Sequence, residues 1–478
     1  AMAATAAKAA GRAAATSGSG AATGVSSDAS SASEIQSKCC TALLELRETT
    51  TLSSKWRDAL DAFREACDVQ PTPCFSEVFG FERKSLLLTL LNLKLYDQQA
   101  SDWDVQTRAA ALHALRVLSR EQAADELFRT DEFLVCVARE AGIGADGLPR
   151  AHWDSSSEQA AILLANMLII RGQDSAEILR TSMNAETQLA EHFVDLAAKP
   201  VSQLVCYANV AFRLSLLPVP TETAAAARAN TLHERLVAGF AWAVEEIAAA
   251  PADVPEKLLS FTEILARTLF NNVRLRQGGA GGELMRSLVQ SLSSLLRCAG
   301  ALASVDKTVV TALQLTMLTP QQETFEAMAS HWRQMPKLLL PILQQVEDGT
   351  ADKNAPVVTM LVMQRTAEAS PAAARGLKTD IFGEMEVAPG SLGPDPNRCL
   401  DATSPLKDHI LKHMCSSNVL LKRVAADLIF ALCESNVEDF VALAGIGNAA
   451  GFLQERNLLS ALAELGGSGG AALSCAQD

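Results

Sequence analysis

The stretch that decides the fold is Asp104-Val-Gln-Thr-Arg-Ala-Ala-Ala-Leu-His-Ala-Leu-Arg-Val-Leu-Ser119. Val105, Ala109, Leu112 and Leu115 recur at spacings of three and four, which places them on one face of an amphipathic helix. Asp104 stands just before the stripe, where a short acceptor side chain caps orphan backbone N–H groups. The helix is expected to run from there through Leu118. The same period appears at Trp56, Leu60, Phe63 and Cys67, and again at Leu164, Met167 and Leu168. Period-2 alternation bounded by turn residues is nearly absent, so an all-α chain follows.

Breaks divide these stripes into helices of about 10–18 residues, the usual globular range. They fall at Gly142–Gly147, Arg171–Asp174, Pro218–Pro220, Gly278–Gly282, Thr319–Pro320 and Gly349–Asn354. Ser155-Ser-Ser-Glu158 reads as a capping box. Asp352 or Asn354 precedes Ala355-Pro356, with the proline suited to a first turn. Three apolar helices carry an asparagine near their ends: Asn166, Asn209 and Asn271. An amide on the buried side of a helix costs free energy unless it is hydrogen-bonded. Recurrence at similar places suggests stacked helices whose inner groove holds a backbone. Ordinary helix-end asparagines give the same pattern.

The chain has 478 residues, 49% of them apolar and 20% charged. That apolar fraction excludes a wholly disordered chain. The length suits about three domains or one continuous repeat array. The helical pass favours one array over residues 34–464. It is flanked by an Ala/Ser/Gly-rich tail at 1–33 and a Gly/Ser-rich tail at 466–478, and it carries a Gly/Pro-rich loop at 380–403. A formal charge of −14 argues against nucleic acid or an anionic membrane surface as the main partner. No run reaches about 18 uncharged apolar residues, so no membrane-spanning helix is expected. Eleven cysteines form no Cys-x-x-Cys pair, and Cys206 and Cys433 sit inside apolar patterns, as buried reduced thiols do.

Catalytic signatures are missing or lack their context. There is no phosphate-binding Gly-x-x-x-x-Gly-Lys-[Ser/Thr], no Gly-x-Ser-x-Gly elbow and no His-Glu-x-x-His. His409 and His413 share a helix face but lack an evident third ligand. They are expected to flank a basic surface with Lys407 and Lys412. Gly445-Ile-Gly-Asn-Ala-Ala-Gly451 matches a dinucleotide fingerprint in letters only, because it follows a helix and lacks the strands of the binding unit. It reads instead as a tight corner, with Gly445 and Gly447 free to take positive φ and Asn448 capping the next helix. No cofactor and no metal is expected, and no covalent catalysis.

The run Lys422-Arg-Val-Ala-Ala-Asp-Leu-Ile-Phe430-Ala-Leu-Cys-Glu-Ser435-Asn-Val437-Glu-Asp-Phe440, continuing through Gly445-Ile-Gly-Asn448-Ala-Ala-Gly451-Phe-Leu453, closely resembles the synembryn family. Its members are chaperones and exchange factors for the α subunits of heterotrimeric G proteins. Leu112-His-Ala-Leu-Arg116-Val-Leu-Ser119-Arg120, Val137-Ala-Arg-Glu-Ala-Gly142, Leu269-Phe-Asn271-Asn-Val and Ala355-Pro-Val-Val-Thr-Met-Leu resemble further family segments in order. Two positions depart from it. Ile446 replaces a tyrosine and Asp439 replaces an arginine. Animal members also continue into an acidic, phosphorylatable segment that this sequence does not show.

The resemblance implies an all-α superhelix of armadillo/HEAT-like repeats. Its concave face would take the C-terminal helix of a Gα subunit, loosen the nucleotide pocket and hold the nucleotide-free form. It also implies a cytoplasmic monomer, recruited at times to the cell cortex. A helix C-terminus is negative, so arginines are natural partners for it. Arg116, Arg120, Arg274 and Arg276 lie at helix ends that match the family. Asn166 and Asn271 would bond the inserted backbone, and Lys422, Arg423 and Asn448 complete the expected contacts. The competing expectation is a helical-repeat scaffold for another peptide, without effect on exchange.

Overall fold

The structure is a computed structural model, and it describes residues 104–119, 130–144, 153–218, 223–275, 282–319, 321–383 and 404–458, with Asp58, Leu60, Asp61 and Phe128. The expected tails at 1–33 and 466–478 lie outside these residues, as does most of the expected loop at 380–403. Every regular element among the described residues is a helix. In chain order they are α1 Val105–Leu118, α2 Asp131–Glu140, α3 Ser155–Arg171, α4 Gln173–Thr181, α5 Ala185–His192, α6 Val201–Ser215, α7 Thr223–Ala249, α8 Glu256–Leu275 and α9 Gly282–Arg297. There follow α10 Ala303–Leu313, α11 Gln321–Ala329, α12 Met335–Glu347, α13 Ala355–Ala369, α14 Pro371–Phe382, α15 Pro405–Met414, α16 Val419–Leu432, α17 Val437–Ala444 and α18 Ile446–Glu455.

Local chemistry sets many of the boundaries. Asp104 accepts the Thr107 N–H at 2.8 Å and starts α1 as its sequence indicates. At α3 the cap lies one residue earlier than the serine run suggests. Asp154 accepts the Ser157 N–H at 2.9 Å, and all three serines are inside the helix. The carboxylate wins because it is the stronger acceptor for an N-terminal N–H. Asn354 is the N-cap of α13, but its side-chain oxygen accepts from Asn418 at 3.0 Å instead of capping its own helix. Helix α7 is 27 residues long and α8 is 20, beyond the expected range. The alanine-rich opening of α7 has high helix propensity and no internal glycine or proline until residue 239. The segment 380–382, assigned to a loop by its neighbours' composition, is the last turn of α14.

The chain divides into two compact units. The first contains the described residues up to Trp242 together with those from Arg267 to Leu275, and the second contains Ala243–Ala266 and the described residues from Gly282 onward. In the first unit α3 packs between α1 and α6, with α2 also against α3. In the second, α11 packs on α9 and α13, and α13 packs on α16. A second layer of α12 and α15 lies against α13 and α16. Each unit is thus built from helices laid side by side in sequence order, as repeat proteins are. Their cores are aliphatic and phenylalanine-rich, with Leu112, Leu164, Phe261, Met360, Leu428 and Phe440 fully buried. Cys206 and Cys433 are buried, and burial pushes the Cys433 thiol up to about 12, so it stays protonated at neutral pH. No helix among the described residues is long and apolar enough to cross a membrane.

Candidate functional site

In the first unit the C-terminal end of α1 lies against the C-terminal half of α3. There Asn166 donates a side-chain N–H to Ser119 Oγ at 2.9 Å, and Ser119 donates its own proton to the Arg116 carbonyl at 2.7 Å. The arrangement recurs at the end of α6. Asn271 of α8 donates to Ser215 Oγ at 3.2 Å, and Ser215 donates to the Phe212 carbonyl at 2.7 Å. Both serines are buried, while both asparagines are half-buried. Asn209 does not share the pattern. Its amide bonds the Val205 carbonyl of its own helix at 3.0 Å. The three asparagines are therefore two inter-helix links and one intra-helix bond. The serines were missed in the sequence, although a Leu-Ser pair (Leu118-Ser119, Leu214-Ser215) marks both.

Arg116 sits in the last turn of α1, half-buried, beside its serine link. Arg274 lies on α8 one turn beyond Asn271. Arg120 and Arg276 lie outside the described residues. Arg116, Asn166 and Asn271 thus belong to the first unit, and Lys422, Arg423 and Asn448 to the second. Lys422 and Arg423 are exposed on α16, and Arg423 Nε lies 3.9 Å from Asp427. Burial raises the Asp427 carboxyl, against the pull of Arg456 and Arg423.

The 445–451 corner differs from its expected form in two ways. Only Gly445 takes positive φ, at 79°. Gly447 and Gly451 are ordinary helical residues of α18. Asn448 does not cap the following helix. It donates to the Ala444 carbonyl at 3.0 Å, which serves the end of α17, and accepts from Cys415 Sγ at 3.1 Å. Gly445 already starts α18, so no N-cap duty is left for Asn448. Beneath the corner Phe430, Phe440 and Phe452 pack with centroids 5.1–5.4 Å apart. The run 422–453 is therefore a self-packed three-helix element. Asp439 accepts from Lys378 of α14 at 2.6 Å, and Ile446 is 63% exposed.

His409 and His413 do not flank an open basic surface. Glu347, at the end of α12, accepts from His409 Nδ1 at 2.7 Å and from Lys412 Nζ at 2.8 Å. The Lys412 and His409 hydrogen bonds hold the Glu347 carboxyl below its ordinary range. His413 is buried against them, and burial lowers its pKa.

Among the described residues no group of side chains is arranged to hold a metal ion. A family model described as guanine nucleotide exchange factor synembryn matches residues 111–475. The chain belongs to the synembryn family. It is 24% identical over 235 residues to chaperone Ric-8A of Macaca fascicularis, an alignment covering 45% of this chain and 43% of the relative. With chaperone Ric-8 of Drosophila melanogaster it shares 25% identity over 116 residues, 24% of this chain and 18% of the relative. The alignments thus span less than half the length of either curated relative. A chain from a structural study of cadherin and β-catenin aligns over 89% of this chain, at 13% identity and a TM-score of 0.26, too weak a likeness to bear on the fold. The synembryn match starts inside α1 and extends past α18, so it takes in both units and both serine–asparagine links.

Proposed function

We propose that this synembryn-family chain is a non-receptor guanine-nucleotide exchange factor and folding chaperone for Gα subunits. In this reading Arg116, Asn166, Asn271 and Arg274 contact the Gα C-terminal helix. The chain works in the cytoplasm as a monomer, with recruitment to the cell cortex. The observation that carries this reading is the family match over 111–475. Relatives named as chaperones support it.

The physics needs no covalent step. Exchange is accelerated when a partner binds the nucleotide-free state more tightly than the GDP-bound state, because that difference shifts the equilibrium toward release. An arginine and half-buried amides suit a helix C-terminus, which offers unpaired carbonyls, a negative dipole end and a carboxylate. Lys422, Arg423 and Asn448 act from the second unit as further contacts. The chaperone role uses the same preference, since a nascent Gα is also without nucleotide.

The test is GDP release from a purified Gα, measured with and without the full chain, beside a pull-down in the presence and absence of excess GTP. Faster release, and binding that GTP abolishes, are expected. Unchanged release with GTP-indifferent binding would leave the chain a helical-repeat scaffold for another peptide.

A further inference from the structure

We infer that Ser119 and Ser215 are positioning residues that fix the asparagine amides of the proposed Gα-binding face. They orient each amide so that it presents one acceptor and one donor to an unpaired peptide group. This rests on the reading above and adds to it the residues that set the amides and the chemistry they recognise.

Proton accounting carries the inference. A serine hydroxyl has one proton. Ser119 gives its proton to the Arg116 carbonyl at 2.7 Å, and Ser215 gives its proton to the Phe212 carbonyl at 2.7 Å. Each buried oxygen can then only accept from its asparagine. Nδ2 of Asn166 and of Asn271 must therefore face the serine, at 2.9 and 3.2 Å, and Oδ1 must face away. The terminal torsion of asparagine is otherwise broad, so without this acceptor the amide could turn end for end. Held this way, each half-buried amide keeps Oδ1 and its second N–H for a ligand. That pair complements one peptide group, which carries one N–H and one C=O.

Peptide groups inside a regular helix are already paired, whereas those at and beyond its C-terminal end are not. The fixed amides therefore select the frayed end of an inserted segment over its helical body. Among the described residues the device occurs on α1/α3 and again on α6/α8, and it is absent at Asn209, whose amide bonds its own helix. A generic inter-helix staple would not require the amide's polarity to be set.

The experiment is a pair of double-mutant cycles read by peptide affinity. The full chain, Ser119→Ala, Asn166→Ala and the double variant are titrated with a synthetic peptide of the Gα C-terminal segment. A second cycle uses Ser215→Ala and Asn271→Ala and stands if a variant of the first fails to fold. Loss of one hydrogen bond predicts affinity about three- to tenfold weaker for each single variant. If serine acts through asparagine, the double variant is no weaker than the asparagine variant alone. Additive losses, or serine variants with unchanged affinity, overturn the inference and leave the proposed function standing. Absence of peptide binding by the unaltered chain overturns both.

Discussion

Arg180 and Glu186 form an ion pair at 2.8 Å with both side chains only 4% exposed, inside the first unit. The guanidinium also donates to the Leu214 carbonyl at 3.1 Å and to the Pro218 carbonyl, so it closes the end of α6 at the turn that holds Ser215. A buried charge that loses its partner cannot be rehydrated, and removal of one member costs about 3–5 kcal/mol. Arg180→Met leaves the Glu186 carboxylate buried alone and frees the Leu214 and Pro218 carbonyls. Urea denaturation of this variant is expected to show the first unit unfolding at much lower denaturant than in the unaltered chain. A midpoint within error of the parent would remove the pair from the list of structural supports.

That pair shows where reading a sequence stops. Helical periodicity placed α1 and α3, and Asp104 as a cap, because those signals are local and carried by the spacing of apolar and polar residues. Arg180 and Glu186 lie six residues apart, off any standard helical pairing, and the carbonyls that Arg180 serves are more than 30 residues away. Nothing local announces such a contact. The serine links fall between these cases. Leu118-Ser119 and Leu214-Ser215 are visible as words, but their partners Asn166 and Asn271 are 47 and 56 residues distant. The histidine pair misled for the same reason. Glu347 stands 62 residues before His409 and puts a carboxylate against the apparent basic face, accepting from His409 and Lys412.

A second prediction concerns pH. His192 stacks on Tyr207 with ring centroids 3.7 Å apart and bonds the Gly142 carbonyl at 3.2 Å. Burial, the largest cause, lowers its pKa from 6.5 to about 4. The folded chain therefore binds this proton less readily than the unfolded chain. The stability it contributes is full above pH 6.5 and is lost as pH falls from there toward 4, by up to about 3 kcal/mol. His192→Phe removes that titration. Its denaturation midpoint is expected to fall less than the parent's between pH 7.5 and 5, whatever its absolute stability. Parallel losses in both proteins would assign the pH dependence to another group.

Gly142 supports the same cluster. Its φ is +79°, and a β-carbon there would come within 2.9 Å of the Tyr207 hydroxyl, which donates to the Ala141 carbonyl at 3.0 Å. Gly142→Ala combines backbone strain with a clash against a buried phenol and is expected to cost about 1–3 kcal/mol. Thermal unfolding followed by circular dichroism measures it. The corner at 445–451 supplies the contrast. Gly445→Ala is strained by its φ of +79° and destabilises. Gly447→Ala and Gly451→Ala sit in α18 with nothing within 4 Å, and each is expected to stabilise by about 0.4–1 kcal/mol. Destabilisation by either of those two would mean that their glycines meet something in the folded chain.

The last prediction addresses the proposed contact itself. Of Arg116, Arg120, Arg274 and Arg276, Arg116 is the one whose side-chain burial is described, half-buried in the last turn of α1 next to the Ser119 link. A planar guanidinium binds a carboxylate or a row of helix-end carbonyls through paired donors, and lysine cannot reproduce that geometry. Arg116→Lys keeps the charge and most of the aliphatic stem, so folding should be preserved. If the arginine meets a helix C-terminus, the variant should bind a Gα C-terminal peptide about tenfold more weakly, a loss of about 1.4 kcal/mol. It should also slow GDP release in proportion, with an unchanged thermal midpoint. A peptide amidated at its C-terminus separates the two acceptors. If the carboxylate is the partner, amidation weakens binding to the parent far more than to Arg116→Lys. Equal weakening in both proteins would assign the arginine to the carbonyls, and full affinity in Arg116→Lys would take it out of the site.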